Sequence, residues 1–358
     1  MPQADLLVNL SFLPQQPTGL AVYALNLIPY LPTSTSGLLT PRPIADRFSI
    51  PTPANLTSDS GTWGHGRRLW WTQTRLPSLY RQFKARLIFS PVPEAPLWSS
   101  CRTVVTVHDL IPLRFSRQMS PALTAYCRYY LPRVIAQADH VICNSETTRQ
   151  DIHHFFGPLS TPQTVIPLAY DDRQYRCLDL PRQPYFLYLG RPDRYKNLGR
   201  LLQAFARVPD QETELWLAGK GDRRFTPALQ TQAQALGIAH RVQFLGYVPD
   251  ADLPRLINQA IALVFPSLWE GFGLPVLEAM ACGTPVITSN LASLPEVAGE
   301  AALLIDPYNP GELAEAMTAV ASDRQLWQGL RAAGLARAQQ FSWAKVGQST
   351  AAVLGEYL

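Results

Sequence analysis

The sequence predicts an α/β protein built on two doubly wound parallel sheets. Three observations carry that expectation: short continuous apolar runs, helical patterns between them, and a length of 358 residues. Runs that are apolar throughout, rather than alternating, mark strands buried on both faces, which is the condition of a parallel sheet covered by helices. A chain of this length exceeds the range over which one hydrophobic core keeps growing, so two domains of roughly 150 to 200 residues are expected.

In chain order, residues 17–31 ("PTGLAVYALNLIPYL") form a helical pattern headed by Gly19. Residues 33–66, rich in Thr, Ser, Pro and Gly, read as a long loop or irregular insertion. The segment 63–86 follows as an amphipathic helix carrying Arg67, Arg68, Arg75, Arg81, Lys84 and Arg86 among Trp63, Trp70, Trp71 and Tyr80, with no acidic residue. Strands are expected at "TVVTVHDL" (103–110), "HVICNS" (140–145) and "TVIPLA" (164–169), completing a first domain over 1–169. The polar, aperiodic stretch 170–184 reads as a linker. A second domain, 185–341, holds strands at "YFLYLG" (185–190), "ELWLAG" (214–219), "RVQFLG" (241–246), "IALVFPS" (261–267) and "TPVITSN" (284–290), with helical patterns at 196–207, 225–236 and 311–321. Residues 342–358 read as a final amphipathic helix.

A hydrophobic fraction of 47% with 16% charged residues describes a folded globular protein. The N-terminus carries Asp5 and no basic region, and no uncharged apolar run approaches the length of a spanning helix, so a cytoplasmic location is expected. The five cysteines, at 101, 127, 143, 177 and 282, form no CxxC pair and no Cys/His cluster, which argues against a metal site or a disulfide framework. The net charge of +4 is uneven: residues 1–170 hold 14 Lys/Arg against 8 Asp/Glu, and residues 171–358 hold 17 against 19. A basic first half is either a solvated surface or a face for anionic acceptors or anionic lipid. No RNP, helix-turn-helix or zinc-finger pattern points to nucleic acid. GxGxxG, GxxxxGK[ST] and GxSxG are all absent, which removes the commonest dinucleotide, P-loop and hydrolase chemistries.

The stretch 265–287, "FPSLWEGFGLPVLEAMACGTPVI", sets Glu270 and Glu278 in otherwise uncharged surroundings. Pro275 suits the first position of a helix that Gly283 ends, which places Glu270 in the preceding loop and Glu278 in the first turns. Free N–H groups around Gly273 and Leu274 offer a site to an anion or to sugar hydroxyls, and each carboxylate can accept hydrogen bonds from vicinal hydroxyls. Taken singly, Glu278 could be an acid favoured by the helix dipole and Glu270 a solvated loop acid. Arg191 and Lys196, after the strand 185–190, place two cations at an expected helix start, where the dipole disfavours them unless an anion binds there. His108 and Asp109 end the strand 103–107, either as a capped turn or as site residues.

These segments resemble the retaining GT-B glycosyltransferases of family 4 (group 1), in their mannosyltransferase-like branch. The resemblance rests on "EGFGLPVLEAMACGTPVI" for the E-x7-E signature, on "FLYLGRPDRYKNLGRLLQAF" for G-R-x4-K-N, and on "VVTVHDLIPLRF" with "ADHVICNSETTRQDI" in the first half. It implies two Rossmann-like domains facing across a cleft, with the acceptor side in the first and the final helix crossing back to it. It also implies metal-independent transfer of a hexosyl group, mannosyl by first expectation, from a UDP-, GDP- or ADP-sugar to a glycan, lipid-linked or small-molecule acceptor. No cofactor is implied beyond that donor. By the same resemblance Arg191, Lys196, Glu270 and His108 serve the reaction, while Gly19, Asp109, Gly190, Tyr247, Val248, Gly271, Phe272, Gly273, Leu274 and Glu278 hold the donor. The family often has two glycines where this chain has Thr18-Gly19. Two alternatives are a nucleotide-sugar 2-epimerase of the same fold and a catalytically silent nucleotide-sugar-binding scaffold. The basic first half adds the expectation of peripheral contact with anionic lipid at the inner membrane face.

Overall fold

The computed structural model describes residues 4–15 and 19–358. Contacts divide the chain into two compact units, Met1–Leu168 with Trp343–Leu358, and Ala169–Ser342.

Among the described residues the first unit holds a seven-stranded sheet in the order β3-β2-β1-β4-β5-β6-β7. Its strands are β1 (Leu6–Asn9), β2 (Ser36–Thr40), β3 (Ser49–Pro51), β4 (Leu87–Ser90), β5 (Thr103–Val107), β6 (His140–Cys143) and β7 (Gln163–Val165), paired in parallel throughout. The stretch 33–66, expected as a loop, therefore supplies two strands. They escape periodicity because β2 opens on Ser36-Gly37 and β3 ends on Pro51. A Cβ on Gly37 would lie 2.9 Å from Ile50 Cδ1, so that side-chain tip would have to shift to admit one. Helix α1 (Gly19–Leu27) follows β1, and the 22-residue α2 (Gly61–Gln82) leads into β4. Leu7, Leu39, Trp71, Leu76, Leu79 and Ile88 share one core cluster, so the inner face of α2 is pinned to this half of the sheet.

The second unit holds, among the described residues, a six-stranded parallel sheet in the order β10-β9-β8-β11-β12-β13. These are β8 (Tyr185–Leu189), β9 (Glu214–Ala218), β10 (Val242–Gly246), β11 (Ala262–Phe265), β12 (Val286–Ser289) and β13 (Leu303–Ile305). Residues 170–184 belong to this unit and are not a free linker. Leu178 N–H donates to Asn258 Oδ1 at 2.7 Å, Gln183 N–H to the Gln259 carbonyl at 2.7 Å, and Gln174 Nε2 to the Asp250 carbonyl at 2.6 Å. Polar side chains and bare backbone give no hydrophobic period to read, yet they fasten a segment well.

In both sheets the strand order reverses once, between β1 and β4 and between β8 and β11. Ligands of open α/β sheets bind beyond the carboxyl ends of the strands at that reversal. After α3 (Leu198–Phe205) and α4 (Leu274–Ala281), the last helix α5 (Trp343–Gly355) rejoins the first unit. There Arg102 Nη1 donates to the Tyr357 carbonyl at 2.9 Å, and His140 Nδ1 lies 3.1 Å from the Tyr357 hydroxyl.

Candidate active site

At the reversal of the second sheet, Lys196 Nζ donates to Glu270 Oε1 at 2.6 Å. Their side chains are 14% and 10% exposed. The local sequence explains the placement. Arg194–Lys196 is a single 3-10 turn after β8, and Asn197, in the left-handed region at φ 64°, turns the chain into α3. Asn197 Nδ2 donates to the carbonyls of Pro266 (3.1 Å) and Pro307 (2.7 Å), locking this turn to the end of β11 and the loop after β13. Leu268 N–H donates to the Tyr195 carbonyl at 2.7 Å, which ties in the loop that carries Glu270. Lys196 is thus a turn residue rather than the helix start expected for it. Its ammonium also lies 5.2 and 5.3 Å from the ring centroids of Tyr195 and Phe265.

Glu270 is buried, and its charge is met by Lys196 within the protein. Ser293 Oγ donates to the carbonyls of Glu270 (3.0 Å) and Phe272 (2.7 Å), holding the loop 270–273 from behind. Phe272 itself is buried, edge-on to Phe341. Gly273 sits at φ 112°, a backbone conformation that favours glycine, and a Cβ there would also push Leu294 Cδ2, 2.8 Å away. It heads α4 without a side-chain cap, and Leu274 and Pro275 open the first turn. Pro275 has no N–H and Val276 N–H donates to the Gly273 carbonyl at 3.0 Å, so the N–H groups that head the helix are those of Gly273 and Leu274.

Glu278 lies in the second turn of α4, beyond the first-turn position in which the helix dipole favours an acid. Its side chain is only partly covered, yet protein crowds the carboxyl enough to push it up to about 7, with the Asp250 charge adding to the effect. No ion-pair partner meets it among the described residues.

Arg191 stands apart from this pair. Its exposed guanidinium pairs with Asp222 at 3.3 Å and Asp193 at 3.8 Å, and Arg224 holds the same Asp222 at 2.7 Å. Those bonds keep the Asp222 carboxyl well below its ordinary range. Gly190, at φ 141°, donates to the Ala218 carbonyl at 2.9 Å. A Cβ on Gly219 would stand 2.0 Å from the Gly190 carbonyl oxygen. Gly190, Gly219 and Gly246 line a cavity of about 200 Å³ at the ends of β8, β9 and β10. Tyr247 and Val248 follow, with Tyr247 67% exposed. A larger cavity of about 470 Å³, lined by Arg194, Arg200, Arg224 and Phe225, touches neither Lys196 nor Glu270.

In the first unit, His108 Nε2 donates to the Pro91 carbonyl at 2.8 Å, and its ring meets Tyr23 edge-on at 4.8 Å. Burial pushes its pKa down to about 4, so the imidazole is neutral near pH 7. Asp109 Oδ1 accepts from the Ile111 N–H at 3.0 Å, which is the capped-turn geometry. Gly19 opens α1, and a Cβ placed on it would meet nothing within 4 Å, so packing alone does not demand glycine there. Thr18 lies outside the described residues.

Asn197 and Ser293 support the site although sequence reasoning assigns them no part in it. Asn197 carries a signal, the Lys-Asn pair beside the expected cation, whereas Ser293 carries none. Among the described residues no group of three or more His, Cys, Asp or Glu is arranged to hold a metal ion.

Two family models match the chain: "Glycosyltransferase Family 4" over residues 17–174 and "Glycosyl transferases group 1" over residues 178–337. O-antigen chain mannosyltransferase B of Escherichia coli is 34% identical over 256 residues, 68% of this chain and 67% of that protein. The chain belongs to glycosyltransferase family 4. Its two parallel α/β sheets are those of the GT-B fold. Sucrose-phosphate synthase from Thermosynechococcus elongatus superposes with a TM-score of 0.78 at 20% identity, covering 99% of this chain and 98% of that one. Anabaena HepE, solved with UDP and glucose, gives 0.77 at 19% identity, covering 98% and 100%. The chain is therefore a glycosyltransferase enzyme.

Proposed function

We propose that this glycosyltransferase moves a hexosyl group, mannosyl first, from a nucleoside-diphosphate sugar to a glycan or lipid-linked acceptor with retention at the anomeric carbon. The observation that carries the reading is the Lys196–Glu270 pair beyond β8 and β11, beside an uncapped helix start. The named activity of the E. coli relative supports mannosyl transfer, and the UDP and glucose named for HepE support a nucleotide-sugar donor.

As the glycosidic bond breaks, its electron pair leaves on the diphosphate oxygen while an acceptor hydroxyl adds to the same face of the sugar. The hydroxyl proton passes to that departing oxygen. Charge therefore grows on the diphosphate, and Lys196 is suited to meet it: one of its three N–H donors is used by Glu270, which also fixes its direction. Arg191 supplies a second, more exposed cation, and the N–H groups of Gly273 and Leu274 a third source of positive potential. Glu270 faces the transferred sugar, with Gly271 and Phe272 shaping its loop. Glu278 accepts the ribose hydroxyls, and Tyr247 and Val248 border the base. In the first unit Gly19 approaches the diphosphate, and neutral His108, positioned by Asp109, serves the sugar. The reaction needs no metal because these cations are side chains. Incubation with UDP-, GDP- and ADP-sugars, reading nucleotide release with and without acceptor, tests the reading. Acceptor-independent conversion of the donor sugar would refute it.

The acceptor is brought from an anionic membrane. Along α2, Trp63, Arg67, Trp70 and Arg81 lie exposed at helical spacing, with Trp63 and Trp70 78% and 67% exposed and no acid on the helix. Arg68, expected on this basic face, instead turns inward to Glu94. No helix among the described residues is long and apolar enough to cross a membrane. Vesicle co-sedimentation should show salt-sensitive binding to anionic but not neutral vesicles, lost on charge reversal at Arg67, Arg75 and Arg81. Absence of binding at low salt would leave a soluble acceptor.

A further inference from the structure

The cavity of about 470 Å³ in the second unit has no part in the transfer step above, and its walls are strongly biased in charge. Three guanidiniums, those of Arg194, Arg200 and Arg224, line it against one carboxylate, Asp193. They come from the turn before α3, from the first turn of α3, and from the residues that lead into the helix Thr226–Ala235. Neither helix has an acid in its first turn, so two positive dipole ends add to the same potential.

None of the three has a carboxylate to itself. Arg194 has no ion pair and no side-chain hydrogen bond among the described residues, and its Cζ lies 5.9 Å from the Phe225 ring centroid. Arg224 lies 4.8 Å from the same centroid and holds Asp222 at 2.7 Å, which it shares with Arg191 at 3.3 Å. Arg200 Nη1 donates to a neutral acceptor, Asn197 Oδ1, at 3.0 Å, and its Cζ lies 5.0 Å from the Tyr308 centroid. A guanidinium laid against a ring keeps N–H edges for other acceptors. Gathering like charges beside two helix starts costs free energy unless an anion binds among them.

The rest of the wall suits a polyol. Phe225, Leu198 and Leu229 supply apolar surface. Gln203 is exposed, and Gln232 spends one N–H on the Gly199 carbonyl at 2.8 Å while keeping Oε1 to accept. A bare phosphate would leave most of this space empty.

We infer that this cavity binds a small sugar phosphate, its phosphate on Arg194, Arg200 and Arg224, and that occupancy weakens the hold of the Lys196 site on a diphosphate. A phosphate monoester near pH 7 brings a charge of about −1.5 to −2 and three strong acceptor oxygens, which suits the surplus of guanidiniums better than a single carboxylate does. The sugar presents hydroxyls to the amides and C–H faces to Phe225. Two effects give the coupling one sign. An anion here repels a second anion held by Lys196, which follows Arg194 by two residues. It also draws Arg224 from Asp222, leaving that carboxylate to occupy Arg191. The coupling rests on the transfer reading, in which Arg191 and Lys196 meet the diphosphate; the site itself does not.

Titration calorimetry on the full chain tests the site, with mannose 6-phosphate, glucose 6-phosphate, inorganic phosphate and glucose as probes. A hexose phosphate should bind, inorganic phosphate should bind at least about ten-fold more weakly, and glucose should give no signal. Ala228→Trp, which fills the cavity from an exposed lining position, should weaken the hexose phosphate by about ten-fold or more and leave the Kd of UDP, GDP and ADP in place. Arg194→Gln should weaken it in the same direction. Saturating hexose phosphate should raise the nucleoside-diphosphate Kd by about five-fold or more to a plateau, and the rise should vanish in Ala228→Trp. No binding of either hexose phosphate, binding no tighter than that of inorganic phosphate, or an unchanged affinity in Ala228→Trp overturns the site. No rise in the nucleotide Kd, or a rise that never levels off, as direct competition would give, overturns the coupling. Failure of the wild type to bind any of the three nucleotides would instead strike the transfer reading, and the hexose phosphate titration would still decide the site.

Discussion

Both sheets place a carboxylate–cation pair beyond their strand ends, and the two pairs differ in what they leave over. Arg68 spends donors on Glu94, Leu56 and His65, while Lys196 gives one N–H to Glu270 and, among the described residues, keeps two. The first pair is a structural pin, and the second is a charge held ready for something else. A buried ion pair is therefore no mark of an active site by itself; residual donor capacity is the better criterion.

The largest effect should come from breaking the Arg68–Glu94 pair, in which four of the five arginine donors are used. Arg68→Ala leaves Glu94 buried and unpaired, and should cost about 3–5 kcal/mol of unfolding free energy in denaturant titration. A loss under about 1 kcal/mol would mean that water reaches Glu94 and that the pair is not a pin.

Next is the unsaturated pair. Lys196→Ala should lower kcat/KM by about 100-fold or more in a folded protein, because it removes charge stabilisation of the leaving diphosphate. Arg191→Ala should fall in the same direction by less, since Arg191 is 60% exposed and shares Asp222 with Arg224. Comparable turnover in Lys196→Ala would collapse the distinction between the two pairs.

Glu278 sharpens the comparison from a third side, as a carboxylate with no cationic partner among the described residues. Glu278→Ala should weaken both the free nucleoside diphosphate and the whole donor by about 1.5–3 kcal/mol, whereas Glu270→Ala should spare the free nucleotide. Calorimetry with the two ligands reads the split, and equal losses in both variants would end it. With the carboxyl pushed up to about 7, the ionised acceptor form fills as pH rises through that value, so nucleotide binding should tighten over the same window and the trend should flatten in Glu278→Gln. The same raised pKa makes the folded state lose stability from about pH 4.5 to 7, where the unfolded chain has already released the proton. The smallest expected effect is none: EDTA should leave turnover unchanged.

Much of this is legible in the sequence for a definite reason. β5, β6, β8, β11 and β12 are continuous apolar runs because both faces of each are covered, and burial on two sides leaves a mark in composition. The edge strand β3 and its neighbour β2 carry Ser, Gly and Pro and read as loop. Glu270 stands out because charge in apolar surroundings needs a partner, and Lys196 because a cation at an expected helix start needs an anion, although that the two are partners of each other takes coordinates to see. Arg68 is misplaced by the sequence pattern because adjacent helical residues point about 100° apart, so a run of two arginines puts one outward and one inward. Its hidden signal is Glu94, the sole acid between Asp59 and Asp109.

The return of α5 to the first unit has a consequence for synthesis. The first sheet emerges from the ribosome before the second, yet the helix that seals it, with Gly347 set against the Tyr30 ring so closely that a Cβ would stand 2.2 Å away, emerges only after all of Ala169–Ser342. Domains generally fold in order of synthesis, but here the earlier unit must wait for the later one to be made. Its half-finished surface, including buried Val346, Val353 and Leu354 contacts still to come, is open to chaperones for that interval.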